Sequence, residues 1–334
     1  MFDAAMIRRT AVGALAALCM LAWSGRAAPP AQAADPLYTF RLATAGNVGQ
    51  PLYETAKAWA DEINTKSNGR IHVDVFPNSQ LGDEPASVQG VLTGTIDMGA
   101  ITIPPWTTVE PRLGVFALPY IFRSIQQAEA KAKSPTALGI LNSLEAKGAK
   151  AFALGDDGWL VISSKKALRA PADFSNVRIR VLPGPIDAAT MKAFGAQPQQ
   201  VAYAEMYLAL KQGVIDAAEA SLTGQYTSKM YEVTKFLALT NHLWLPDILV
   251  MNSAKFAALP PDLKTIVTNA AQVAVAVSFA DEAKLTEDYS KRLAANGMEV
   301  IRYTDIAPFQ AAARPVWDQF SDRIGKPLID EMAK

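Results

Sequence analysis

The chain has 334 residues, half of them hydrophobic, with 32 basic and 32 acidic side chains. It is long enough for two globular domains or one large one, and it has neither the charge excess nor the basic block of a nucleic-acid or membrane-surface binder. A single cysteine, Cys19, and two histidines, His72 and His242, leave little material for thiolate or zinc chemistry.

Arg8 and Arg9 precede an apolar run from Thr10 to Trp23, and a small-residue stretch ends at Ala31-Gln32-Ala33. That order reads as a secretory signal peptide over residues 1–33, the apolar run falling short of the ~20 residues that span a bilayer. Cys19 lies within the run and follows Leu18, where lipid attachment would need a small residue, so the mature chain from Ala34 carries no thiol. The expected destination is the periplasm.

Thr39–Thr44 and Arg70–Phe76 alternate in the manner of strands, and Leu52, Ala56, Trp59, Ala60 and Ile63 recur at helical spacing between them. A helical Ala86–Leu92, a short apolar Ile96–Ile101 and a turn at Pro104-Pro105 follow. Helices are expected over Ile125–Lys133 and Thr136–Lys147, then strands over Ala149–Leu154 and Leu160–Ser163. Val177–Leu182 reads as a strand, and Ile186–Phe194 and Ala204–Gln212 as helices. From Pro260 to Asn296 the pattern stays helical, closed by Gly297. Such alternation indicates an α/β protein with largely parallel sheets.

Catalytic signatures are missing: the sequence has no G-x-S-x-G elbow, phosphate loop, G-x-G-x-x-G or His-x-x-x-His. His72 reads as a solvated strand residue. Arg178 and Arg180 share one strand face. Either reads by itself as a surface ion-pair partner, although a guanidinium fork also suits bidentate capture of a carboxylate.

The segment 176–242 resembles the central signature of the DctP-type solute receptors of tripartite ATP-independent periplasmic (TRAP) transporters. Ile179-Arg180-Val181, Gly195-Ala196-Gln197-Pro198, Glu205-Met206-Tyr207 and Asp216-Ala217-Ala218-Glu219 fill its places, as do Tyr231-Glu232-Val233 and Thr240-Asn241-His242. Elsewhere Ser79-Gln80-Leu81-Gly82-Asp83, Phe116-Ala117-Leu118-Pro119-Tyr120 and Leu259-Pro260-Pro261-Asp262-Leu263 match further family motifs in order.

The resemblance implies a two-domain periplasmic binding protein fold with a long helix spanning both domains. It assigns 34–157 plus 246–285 to domain I and 158–245 plus 286–334 to domain II. It further implies a non-enzymatic receptor without cofactor, a monomer, that captures a small organic-acid anion between the domains and delivers it to TRAP membrane subunits. Arg180 matches the arginine that pairs with the ligand's carboxylate, and Glu219 and Asp216 are expected to organise domain II or buttress it.

Departures from the family shape the expected ligand. Leu160 stands where many members carry a second arginine, Ala45 where sugar-acid binders place an asparagine, Ala220 where some place another, and Thr102 where a cleft acid is common. Absence of the acid-tryptophan pair at Glu219-Ala220 argues against a metal. With Trp159, Tyr203, Trp244 and Trp106 expected near the site, the pocket should favour a monocarboxylate with an apolar or aromatic body. A C4-dicarboxylate, its second end held by Ser221, Thr102 or backbone amides, is the alternative, and service to a periplasmic sensor kinase is another.

Overall fold

The computed structural model describes residues 37–279 and 282–334. The signal-peptide reading of residues 1–33 lies outside the described residues.

Among the described residues ten strands carry the fold: β1 (Tyr38–Thr44), β2 (Ile71–Phe76), β3 (Met98–Thr102), β4 (Ala149–Ser164), β5 (Arg178–Val181), β6 (Gln197–Gln200), β7 (Ala217–Ser221), β8 (Phe236–Ala238), β9 (Trp244–Asn252) and β10 (Glu299–Ile301). Their order is β2-β1-β3-β9-β4-β7-β5-β6, with β8 beside β4 and β10 beside β8. The pairs β1–β2, β1–β3, β5–β6, β5–β7 and β8–β10 are parallel. The expectation of largely parallel sheets holds only at the two flanks. Pairings of β9 with β3 and β4, and of β4 with β7 and β8, are antiparallel.

The reason lies in β4, where the two expected strands are a single one of 16 residues. Its first part pairs with β9 continuously to Asp156↔Pro246 and once more at Trp159↔Trp244, and from Leu160 onward it pairs with β7. A register shift separates Asp156 from Trp159. Within it Gly158 has φ +90, a left-handed conformation that costs a side-chain-bearing residue 1–2 kcal/mol on the order of magnitude. Such an irregularity bends a strand and re-aims its side chains, and here it falls where β4 passes from one half of the sheet to the other.

Pro104 and Pro105 lie in a short helix, Ile103–Trp106, rather than an open turn, because proline is tolerated in a first helical turn. The long helical pattern appears as helices Pro261–Phe279 and Glu282–Ala295. The first packs Leu263, Val267, Ala270, Ala271 and Ala274 against the apolar face of helix Pro51–Lys66, where Trp59 donates its indole N–H to the Val267 carbonyl at 3.0 Å. The second contributes Leu293 to a cluster with Val161, Leu222, Leu237 and Met298. The two segments therefore brace opposite halves of the sheet.

Candidate functional site

A cavity lies at the carboxyl ends of β1, β3, β5 and β7, where ligands gather in open α/β sheets. Ala45, Gly46, Gln50 and Leu52 enter from the segment after β1. Glu84 and Thr102 come from helix Glu84–Thr93 and the end of β3, and Asp157 from the β4 irregularity. Arg180, Leu182, Tyr203, Ala220, Ser221 and Leu245 complete the wall.

Arg180 is 2% exposed. Its Nε donates to the Val201 carbonyl at 3.0 Å and its Nη1 to the Glu219 carbonyl at 2.8 Å. The Tyr203 ring centroid lies 5.7 Å from its Cζ. Among the described residues, no carboxylate lies within 4.0 Å of this guanidinium, so its fork is held by neutral oxygens while its charge faces the cavity. Burial pulls its pKa down, partly offset by the more distant Glu219 and Glu84 carboxyls.

Two residues earlier on the same strand face, Arg178 is half-exposed and grips Asp216 bidentately at 2.9 and 2.7 Å. Asp216 thus serves Arg178, while Glu219 supports Arg180 through its main chain. The Glu219 carboxyl accepts from Leu182 N at 2.9 Å and faces His242 Nε2 at 3.2 Å. His72, as expected of a solvated strand residue, is exposed and lies against Asp74.

Five of the seven expected site residues line the cavity: Arg180, Tyr203, Thr102, Ala220 and Ser221. Thr102 directs both its N–H and its hydroxyl to Glu84, each at 2.9 Å, and Ser221 caps helix Leu222–Thr227. Trp159 lies elsewhere, in a separate groove with Tyr120, Arg123 and Tyr303, because the β4 irregularity turns it away. Trp244 is buried in the core, donating to Asp156 and packed edge-on to Phe116 and Phe122. Trp106 is buried there too. Among the described residues, Tyr203 is then the only aromatic side chain in the wall.

Sequence reasoning passed over Glu84, Asp157, Gln50, Leu52, Leu182 and Leu245. Glu84 stands immediately after the matched Leu81-Gly82-Asp83 turn, a signal that could have placed it; the others are set by tertiary packing. The acid expected to be absent at Thr102 is supplied by Glu84 from the neighbouring helix. Burial raises the carboxyls of Glu84 and Asp157, the latter further because Asp247 and Asp156 lie close. Asp247 is pushed up to about 8 by burial beside Asp156. A Cβ at Gly155, its cross-strand partner, would sit 2.6 Å from Asp247 Oδ1. No group of three or more His, Cys, Asp or Glu suited to a metal ion occurs among the described residues.

Residues 42–323 match the family model for bacterial extracellular solute-binding proteins, family 7 (DctP). The chain is 31% identical over 280 residues to the 2,3-diketo-L-gulonate-binding periplasmic protein YiaO of Escherichia coli, covering 84% of this chain and 82% of that protein. It superposes on a TRAP periplasmic solute-binding protein from Bordetella bronchiseptica, its bound density assigned as pantoate, with TM-score 0.85, 27% identity and coverage of 89% and 99%. A second, from Sulfurospirillum deleyianum with bound succinate, gives TM-score 0.84, 28% identity and coverage of 89% and 98%. The fold is that of the two-domain TRAP receptors, which are solute-binding proteins rather than enzymes and act in the periplasm. The chain belongs to the DctP family, the bacterial extracellular solute-binding proteins of family 7.

Proposed function

We propose that this receptor binds an organic acid through one carboxylate on Arg180, with an aliphatic body between Leu52, Leu182, Leu245, Ala45 and Ala220, and delivers it as a monomer to TRAP membrane subunits. The observation that carries this reading is the cavity-lining guanidinium of Arg180, 2% exposed, with only carbonyl oxygens as close partners. A buried cation of this kind gains from an anion that completes its fork. The lobes that close on the ligand are taken as 34–157 plus 246–285 and 158–245 plus 286–334. The change of β4 pairing partners between Asp156 and Leu160 supports that division.

The aromatic body once expected of the ligand loses its support with Trp159 and Trp244 outside the wall, whereas the leucines and alanines favour an aliphatic one. The pantoate assigned in the Bordetella structure, a branched acid with one carboxylate, agrees with this class. The succinate of the Sulfurospirillum structure favours the dicarboxylate reading. Thermal unfolding of residues 34–334 against both acid classes separates them. A ligand at ~100 times its dissociation constant adds about 2.7 kcal/mol and raises the midpoint visibly. Branched monocarboxylates should produce the larger shift, and Arg180→Ala should abolish it. Larger shifts from dicarboxylates would reverse the ligand class, and shifts unaffected by Arg180→Ala would remove the anchor.

A further inference from the structure

Across the cavity wall the charged side chains are unequal in number: one cation, Arg180, against two acids, Glu84 and Asp157. Glu84 is engaged at both oxygens by Thr102. Asp157, 4% exposed, accepts from Leu52 N at Oδ1, at 3.1 Å, with Ser221 alongside. Behind it lies Asp247, wholly buried, whose two oxygens have no hydrogen-bond partner among the described residues. We infer that Asp157 is a specificity-determining residue that takes a hydroxyl at the far end of the ligand and turns away acids carrying a second carboxylate there. The inference rests on the proposed binding of a carboxylate at Arg180.

A hydroxyl both donates and accepts, so it satisfies a carboxyl group in either protonation state. A second carboxylate only accepts. Placed against Asp157, it would be a second buried anion where the described wall offers a single cation, and it could be accepted only with Asp157 held protonated; unpaired buried charge is strongly disfavoured. Apolar side chains on the remaining surface give a methyl group no comparable partner at that point. Sites built to hydrogen-bond a hydroxyl discriminate strongly against analogues lacking it, because the site's own polar group is then stranded.

Three probes of similar size separate the possibilities: β-hydroxyisovalerate, tert-butylacetate (the same acid with methyl in place of hydroxyl) and methylsuccinate. Calorimetric titration of the wild type should rank β-hydroxyisovalerate on the order of tenfold or more above each of the others. Asp157→Leu should bring the first two to within about twofold of each other. Asp157→Asn keeps an acceptor for Leu52 N, supplies a donor and carries no charge at any pH, so it should tighten methylsuccinate on the order of tenfold. Circular dichroism and the ligand-free melting point establish that each variant is folded; if the leucine variant is not, the asparagine variant decides. Unchanged ranking in a folded Asp157 variant, or wild-type binding of methylsuccinate as tight as that of the hydroxy acid, overturns the inference while leaving Arg180 in place. Binding by none of the three, or binding indifferent to Arg180→Ala, overturns the carboxylate reading and this inference with it.

Discussion

Arg178 and Arg180 show how two identical side chains on one strand face acquire opposite roles. Both project from β5, yet Arg178 meets a partly exposed Asp216, whereas among the described residues no carboxylate comes within 4.0 Å of the Arg180 guanidinium in the cavity. An ion pair in partial solvent contributes only about 0–1 kcal/mol. Arg178→Ala should therefore leave ligand affinity within about twofold, with at most a slight fall in melting point. Arg180→Ala removes the charge that the proposed ligand needs in a desolvated site, a loss of roughly 2–5 kcal/mol in binding. Arg180→Lys should recover little of it, since an ammonium has no planar fork to hold Val201 O, Glu219 O and a carboxylate together. Titration calorimetry of the three variants with the strongest-binding acid provides the check; near-equal losses at both arginines would contradict this division of roles.

On the scale of elements, β4 and β9 bring three aspartates together. Asp156 accepts from the Trp244 indole and from Gly158 N, Asp157 faces the cavity, and Asp247 lies buried across from Gly155. Burial pushes Asp156 up to about 6 and Asp247 up to about 8, each above its ordinary value of 3.8. For a carboxyl raised in the folded state, its share of stability is complete below the unfolded value and lost as pH climbs through the folded one. The melting point should therefore decline from about pH 4 towards pH 8. Asp247→Asn does not titrate and should flatten that decline, the difference growing by up to about 1.4 kcal/mol for each pH unit between the two values. Parallel melting curves for wild type and variant across that window would refute the assignment. Glu110, drawn down from 4.5 to about 2 chiefly by Arg112, contributes stability that is lost as pH falls through that interval, so it bears only on the acid edge of this window.

The same elements mark how far the sequence could be read. Local elements such as β2, the first half of β1 and the helix around Trp59 were legible because their burial follows the period of the element. β9 was not, since all nine of its residues are buried and no alternation survives. The continuity of β4 was hidden by Gly155-Asp156-Asp157-Gly158, which reads as a break and is instead a bend between two pairing partners. In the site, Arg180 was legible through its motif. Trp159 was misplaced because one register shift reverses the direction a strand residue faces, and Asp157 was overlooked for the same reason.

At the scale of the whole molecule, the cavity is closed over by polar contacts between the segment after β1 and the loops of the other half. Gln50 Nε2 donates to Tyr203 Oη at 2.9 Å, Asn47 Nδ2 to Ser228 Oγ at 3.1 Å, and Tyr203 Oη and Ser228 Oγ are 2.7 Å apart. Gly224 permits this approach, because a Cβ there would meet Gln50 Nε2 at 2.7 Å and Tyr203 Oη at 3.0 Å. If closure of the two lobes accompanies capture, these bonds form only in the closed state and add directly to apparent affinity. Tyr203→Phe keeps the ring beside Arg180 and deletes the hydroxyl that joins the two halves. At about 0.5–1.5 kcal/mol for each net hydrogen bond, affinity should fall roughly 3- to 10-fold, mostly through faster release. Asn47→Ala combined with Tyr203→Phe should cost less than the two single losses added, since both act on the Ser228 network. Small-angle scattering supplies the independent measurement: the radius of gyration of the wild type should contract when ligand is added, and the double variant should need more ligand for the same contraction. An unchanged radius together with an unchanged release rate in Tyr203→Phe would show that these contacts are already made without ligand and take no part in capture.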